Sequence, residues 1–287
     1  MALFLCIILN RLCRILGETI VKRVYVLVIL ILCGAAIIYG NLHWNHKISA
    51  QGEDKATVKE TEEVKEEPKN ANENVDVAAY TSNLSEDLQA KIKNAKDSGE
   101  PLELIIYGSD ATSEETGAWP DLLTKKLIDT YGEDIFKITV ISEGTQTSRD
   151  IVNERSYEEV SNVNPDVILF EPFMLKDNDG LIGMENTIEN IEIMMDSWKT
   201  ANKDVTILIQ PPNPLYNANF YPSQVNDLKE YVENEGIVYL NHWEKWPELD
   251  DPKMEDYLSK VDDQPSQPNG SGNKVWAEYL IEFFIAE

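Results

Sequence analysis

Five short apolar runs, at 104–107, 136–141, 167–170, 206–210 and 237–240, punctuate the chain, and amphipathic stretches separate them. Strands this short and apolar on both sides are buried on both faces. When helices alternate with them, the arrangement that buries every face is a parallel sheet between two helical layers. The spacing predicts helices over 85–96, 120–131, 148–153, 184–199, 222–234 and 272–285. In the first of these Ser85 is placed to cap the helix, and Leu88, Ile92 and Ala95 form its apolar stripe. The fold class expected is therefore α/β: a three-layer α/β/α sandwich around a parallel five-stranded sheet.

The surface of such a domain is acidic. The chain has 287 residues with 25 bases and 51 acids, and 43% of it is hydrophobic, enough for one substantial core. Residues 1–47 hold five bases (Arg11, Arg14, Lys22, Arg23 and Lys47) against Glu18 alone, so the remainder keeps 20 bases and 50 acids. A surface of that sign repels phosphate backbones, and no nucleic-acid partner is expected.

The amino-terminal part has a different character. Residues 24–40 carry no charge and are long enough to span a bilayer, with Lys22 and Arg23 immediately before them. The positive-inside rule then places residues 1–23 in the cytoplasm, a single transmembrane helix over 24–41, and everything beyond it outside. A cleaved signal peptide and a lipid on Cys33 are the competing readings of the same segment, and Val21 competes with Met1 as the start of translation. Residues 42–80 are rich in Glu, Lys, Asn and Thr and poor in large apolar side chains. They read as a disordered acidic linker carrying a domain over 81–287. The three cysteines, Cys6, Cys13 and Cys33, all precede that domain, so it has no disulfide, no thiol nucleophile and no cysteine metal site. No metal and no cofactor are expected.

In a parallel sheet, function sits in the loops at the carboxyl ends of the strands. The first run, Leu104-Ile105-Ile106-Tyr107, passes directly into Gly108-Ser109-Asp110-Ala111-Thr112. The second is followed by Glu143-Gly144-Thr145. After the third come Glu171 and then Lys176-Asp177-Asn178-Asp179, and Gln210-Pro211-Pro212-Asn213-Pro214 follows the fourth. Gln264-Pro265-Ser266-Gln267-Pro268-Asn269 precedes the final helix.

In this order and position, these loops make residues 102–285 resemble the SGNH or GDSL hydrolase superfamily of esterases, lipases and acyl-handling enzymes. Block one of that family is Gly-Asp-Ser-x-Thr with serine as nucleophile; here Ser109 and Asp110 stand in exchanged order. Gly144 matches the block-two glycine whose amide helps bind the oxyanion. Lys176 or Asn178 falls at the block-three asparagine, depending on where the gap is placed. Block five, Asp-x-x-His-Pro-Asn, reads here with Gln264 and Gln267 in place of the catalytic aspartate and histidine.

Serine attack on an ester needs a base, and glutamine cannot serve as one. The only histidine of the 81–287 domain is His242. It reads either as an imidazole packed beside Trp243 and Trp246 or as a base for Ser109. Ser109 itself reads either as a nucleophile or as a brace for its turn. Glu171 ends a buried strand, where a carboxylate requires a partner and becomes a perturbed acid. Asn213, with an aromatic wall of Tyr216, Phe220 and Tyr221, is a candidate ligand contact, and Asp177 and Asn178 are either ligand contacts or turn formers.

Two functions follow. One is a membrane-anchored extracytoplasmic esterase or acyltransferase acting on O-acyl groups of a cell-envelope glycan or a small acylated substrate. Ser109, Asp110 and His242 would be catalytic there, with Asp263 as a possible assistant, while Gly144, Asn178, Asp177, Gln267 and Asn213 would bind the oxyanion or ligand. The other is a catalytically inactive module of the same fold that binds an envelope polysaccharide or an assembly partner.

Overall fold

The computed structural model describes residues 77–261 and 264–286. Strands β1 (Leu102–Gly108), β2 (Phe136–Ser142), β3 (Val167–Phe170), β4 (Thr206–Ile209) and β5 (Val238–Tyr239) form one sheet in the order β2-β1-β3-β4-β5. Every neighbouring pair is parallel. Helices α1 (Val77–Tyr80), α2 (Glu86–Ser98), α3 (Trp119–Tyr131), α4 (Ser148–Glu154) and α5 (Glu158–Val163) accompany the first three strands. Helices α6 (Met174–Asp179), α7 (Met184–Ala201), α8 (Tyr221–Asn234) and α9 (Gly270–Phe284) follow.

The alternation of side chains along each strand divides the core in two. Leu104, Ile106, Leu169 and Leu208 point to one face and pack beneath α2, α3 and α9. Ile105, Tyr107, Ile168, Phe170, Ile207 and Ile209 point to the other, beneath α4, α5, α7 and α8. Such strands offer no polar face to water, which is why they read as unbroken apolar runs. The three-layer sandwich and its five-stranded parallel sheet match the expectation.

Local signals set the helix ends. The Ser85 hydroxyl accepts from the Leu88 amide at the start of α2, and Gly99, at a φ of 71°, ends that helix by donating to Ala95 O. Thr147 and Asp150 form a reciprocal capping box on α4. Asn269 accepts from the amides of Ser271 and Gly272, so α9 begins two residues before the expected position 272.

Several elements escape the apolar pattern. Strand β5 pairs over two residues rather than 237–240, because the Ile237 amide is taken by Val232 O at the end of α8. Residues 177–179, read as possible turn formers, lie in the short helix α6. An antiparallel hairpin of β6 (Leu258–Val261) and β7 (Gln264–Pro268) precedes α9. Pro265 and Pro268 within a polar run conceal that strand, since proline normally argues against one. Two 3-10 segments, His242–Lys245 and Pro252–Tyr257, lie between β5 and the hairpin.

The described unit is stitched across its ends. The Ala286 amide donates to Tyr80 O at 2.8 Å, and Asn83 Nδ2 donates to Glu282 O and Phe283 O at 2.8 and 3.0 Å. Helix α1 therefore belongs to this unit, although it falls in the stretch assigned to the linker. The apolar segment 24–41, the rest of the linker and the three cysteines lie outside the described residues. Among the described residues no helix is long and apolar enough to cross a membrane.

Candidate functional site

The chain leaves β1 to β2 on one side and returns to β3 on the other, so the strand order reverses beside β1. A crevice opens at such a point, outside the carboxyl ends of the strands. Gly108 ends β1 there and Glu171 directly follows β3. The register pairs Tyr107 with Phe170 and so brings Gly108 and Glu171 side by side. A Cβ on Gly108 would lie 2.5 Å from Glu171 Oε2 and 2.4 Å from Thr112 Oγ1, so only glycine leaves room for this carboxyl group.

Glu171 is completely buried. Its Oε2 accepts from the Ser109 amide at 2.8 Å and from Thr112 Oγ1 at 2.8 Å, and the Ser109 hydroxyl lies 3.0 Å from each carboxyl oxygen. Burial pushes the carboxyl group up to about 8, with the bonds from Ser109 and Thr112 opposing the rise. Ser109 is itself only 3% exposed, and its hydroxyl also accepts from the Ala111 amide at 3.2 Å. The serine hydroxyl thus faces inward, onto a buried acid.

Asp110 has the opposite orientation. Its carboxylate is paired with Lys176 of α6 at 2.9 Å, and its amide donates to Gly144 O at 2.9 Å. Gly144 has a φ of 62°, the left-handed conformation that favours glycine, and its own amide donates to Ser142 Oγ at 3.4 Å.

Beside Asp110 lies a cleft of about 480 Å³ between the β1–α3 loop and the start of α9. Asp110, Ser113, Glu115, Thr116, Gln267 and Asn273 contribute its polar groups. Asn273 also braces the cleft: its Oδ1 accepts from the Trp119 amide at 2.8 Å, tying α9 to α3. Of the residues selected from the sequence, Asp110 and Gln267 reach this cleft. Among the described residues no group of three or more His, Cys, Asp or Glu side chains is placed to hold a metal ion.

No protein-family model and no curated protein matches the sequence. Solved structures do match. One is a G-D-S-L family lipolytic protein from Desulfitobacterium hafniense, 17% identical over 63% of this chain and 98% of that one, with a TM-score of 0.51. Another is a carbohydrate esterase family 3 protein from Talaromyces cellulolyticus, 15% identical over 62% and 94%, with a TM-score of 0.52. A third is an acetyl esterase crystallised with acetate ion, 16% identical over 64% and 98%, also at 0.52. The fold is that of the SGNH hydrolases.

In the sequence match to the SGNH blocks, Asp110 falls at the serine of block one and Ser109 at its aspartate. Of the two block-three candidates, Lys176 reaches the block-one loop, at Asp110. Asn178 instead donates to Gln224 Oε1 of α8 at 3.1 Å. Asp177 is 1% exposed and accepts from the Ser148 amide, Ser148 Oγ and Thr187 Oγ1 at 2.7, 2.6 and 2.7 Å, so it joins α4, α6 and α7. Gln267, which the sequence match sets against the SGNH histidine, faces the cleft, while Asp263 and the side chain of Gln264 lie outside what is described.

His242 is fully buried and stacked on Trp276, the ring centroids 4.0 Å apart and the planes 7° from parallel. Trp246 Nε1 donates to its Nδ1 at 3.0 Å, which leaves Nε2 protonated and donating to Pro211 O at 2.9 Å. Both ring nitrogens are therefore engaged away from Ser109. Burial lowers the imidazole to about 3, with the Pro211 bond opposing the fall.

Asn213 is also buried, donating to Pro214 O and to Ser266 O at 3.1 and 3.2 Å. The expected aromatic wall does not form. Tyr221 is buried with its hydroxyl on Asn213 O, Tyr216 packs on the core, and Phe220 alone is strongly exposed. The sequence reading does not single out Thr112, nor the cleft residues Ser113, Glu115, Thr116 and Asn273. Thr112 is the threonine of the Gly-x-x-x-Thr block, and its position there was the available signal.

Proposed function

We propose that this chain uses the SGNH fold as a ligand-binding module rather than as a serine esterase. The cleft beside Asp110 would receive a glycan of the cell envelope, with residues 24–41 anchoring the chain at the membrane. The observation that carries this reading is the inversion of Ser109 and Asp110: the hydroxyl is bonded to Glu171 under the loop, and a carboxylate faces the cleft. The engagement of both His242 nitrogens and the presence of Gln267 at the histidine position support it, because serine acylation needs a base. Hydroxyl, carboxylate and carboxamide groups around an open cleft suit the hydroxyl groups of a sugar.

The test treats the full chain with a serine-directed fluorophosphonate and with p-nitrophenyl acetate, alongside Ser109→Ala and Asp110→Asn. Neither labelling nor turnover above the blank is expected. Labelling lost in Ser109→Ala would establish a serine esterase. Turnover lost only in Asp110→Asn would establish a carboxylate nucleophile.

A further inference from the structure

The cleft's charge defines its ligand more narrowly. Two carboxylates line it, Asp110 and Glu115, both on the β1–α3 loop, and among the described residues no lysine, arginine or histidine does. Lys176 offsets Asp110 from outside the lining, which leaves the site one negative charge in excess. The chain beyond residue 47, with 50 acids to 20 bases, adds a field of the same sign.

Most of the backbone amides that would draw in an anion already have acceptors. Two helix N-termini border the cleft, and such termini normally attract anions. At α3, the Trp119 amide donates to Asn273 Oδ1 and the Gly117 amide to Asp121 Oδ2, at 2.8 and 2.7 Å. At α9, the Ser271 and Gly272 amides donate to Asn269 Oδ1 at 2.8 and 3.2 Å. Carboxylates are left as the cleft's only ionised groups. A carboxylate has about four acceptor positions, and Lys176 fills only part of those on Asp110.

From this arrangement, and resting on the binding reading above, we infer that the cleft takes a glycan bearing free amino groups, such as a de-N-acetylated amino sugar. An ammonium group enters between Asp110 and Glu115, and the neighbouring hydroxyls meet Ser113, Thr116 and Gln267. Uronic acids, phosphate-linked polymers and other polyanions are repelled.

The experiment is calorimetric titration of the full chain with three tetrasaccharides: glucosamine, N-acetylglucosamine and galacturonate, at low and at 0.5 M salt. The glucosamine oligomer is expected to bind at least about tenfold more tightly than the N-acetylated one, since a charged hydrogen bond exceeds a neutral one by this order. Galacturonate should not bind. Glu115→Gln and Asp110→Asn should each remove most of that preference, and salt should weaken it. Equal or tighter binding of the N-acetylated or galacturonate oligomer overturns the ammonium inference while leaving glycan binding intact. Glucosamine binding unchanged in both variants means attachment to the acidic surface at large, and also overturns it. Failure of all three oligomers to bind overturns both readings.

Discussion

Ser109 and Glu171 are joined by backbone and side chain together: the serine amide lies 2.8 Å from Oε2, and its hydroxyl lies 3.0 Å from both carboxyl oxygens. The pair fixes the end of β1 to the end of β3 below the cleft floor. The Ser109 hydroxyl is thereby directed onto Glu171, while its neighbour Asp110 lines the cleft.

The Glu171 carboxyl group stands at about 8 in the folded chain and near 4.5 when unfolded. A raised acid contributes stability that is complete below the unfolded value and is lost as pH rises toward the folded one. Between roughly pH 4.5 and 8, Glu171 should thus reduce stability by up to about 1.4 kcal/mol per pH unit. Urea unfolding from pH 5 to 9 measures it. Glu171→Gln, which mimics the protonated acid, should flatten the alkaline fall; a wild-type curve with no such fall would contradict the assignment.

His242 works in the opposite direction. Its folded value near 3 lies below the unfolded 6.5, so stability is lost as pH falls below about 6.5. Between 4.5 and 6.5 the two slopes oppose each other, and wild-type stability should be nearly level there. His242→Gln should abolish the acid fall. It should also cost about 2–4 kcal/mol, as Trp246 Nε1 and Pro211 O lose their partner and Trp276 its stacked ring.

Gly108→Ala should destabilise the domain by about 2–3 kcal/mol, because the added methyl group meets Glu171 and Thr112 well inside contact distance. A midpoint shift in thermal unfolding checks this. Thr112→Ala in the same chain should recover part of the loss, and no recovery would mean that the strain lies elsewhere.

Asp177→Ala should cost about 2–4 kcal/mol, since its three donors would lose their acceptor. Amide exchange should rise first at the start of α4, where the Ser148 amide loses its acceptor. Unchanged protection there would show that Asp177 does not hold α4.

The sheet was legible because each central strand is buried on both faces and carries an unbroken apolar run. The hairpin was not, because Gln264-Pro265-Ser266-Gln267-Pro268 shows neither apolar alternation nor the residues strands prefer. At the site, a carboxylate directly after four buried apolar residues marks Glu171 as perturbed without naming its partners. Those partners, Ser109 and Thr112, lie about sixty residues upstream and meet it only through the register of β1 with β3. His242 and Trp276 are likewise apart in sequence, so tandem neighbours such as Trp243 could not reveal which ring it stacks on. Exchange of two adjacent residues in one loop is easily read in sequence. Which of them faces the cleft depends on the turn geometry after Gly108.

Helix α9 lays Trp276 against both Trp119 and His242 and is tied at its end to residues 80 and 83. Of the described elements, it leaves the ribosome last. The face of the sheet that it covers, including two rings that are fully buried in the finished domain, therefore stays open throughout the synthesis of everything before it. A nascent chain of this kind displays an aromatic surface until α9 has emerged, and Trp276 of that helix is the ring that covers it.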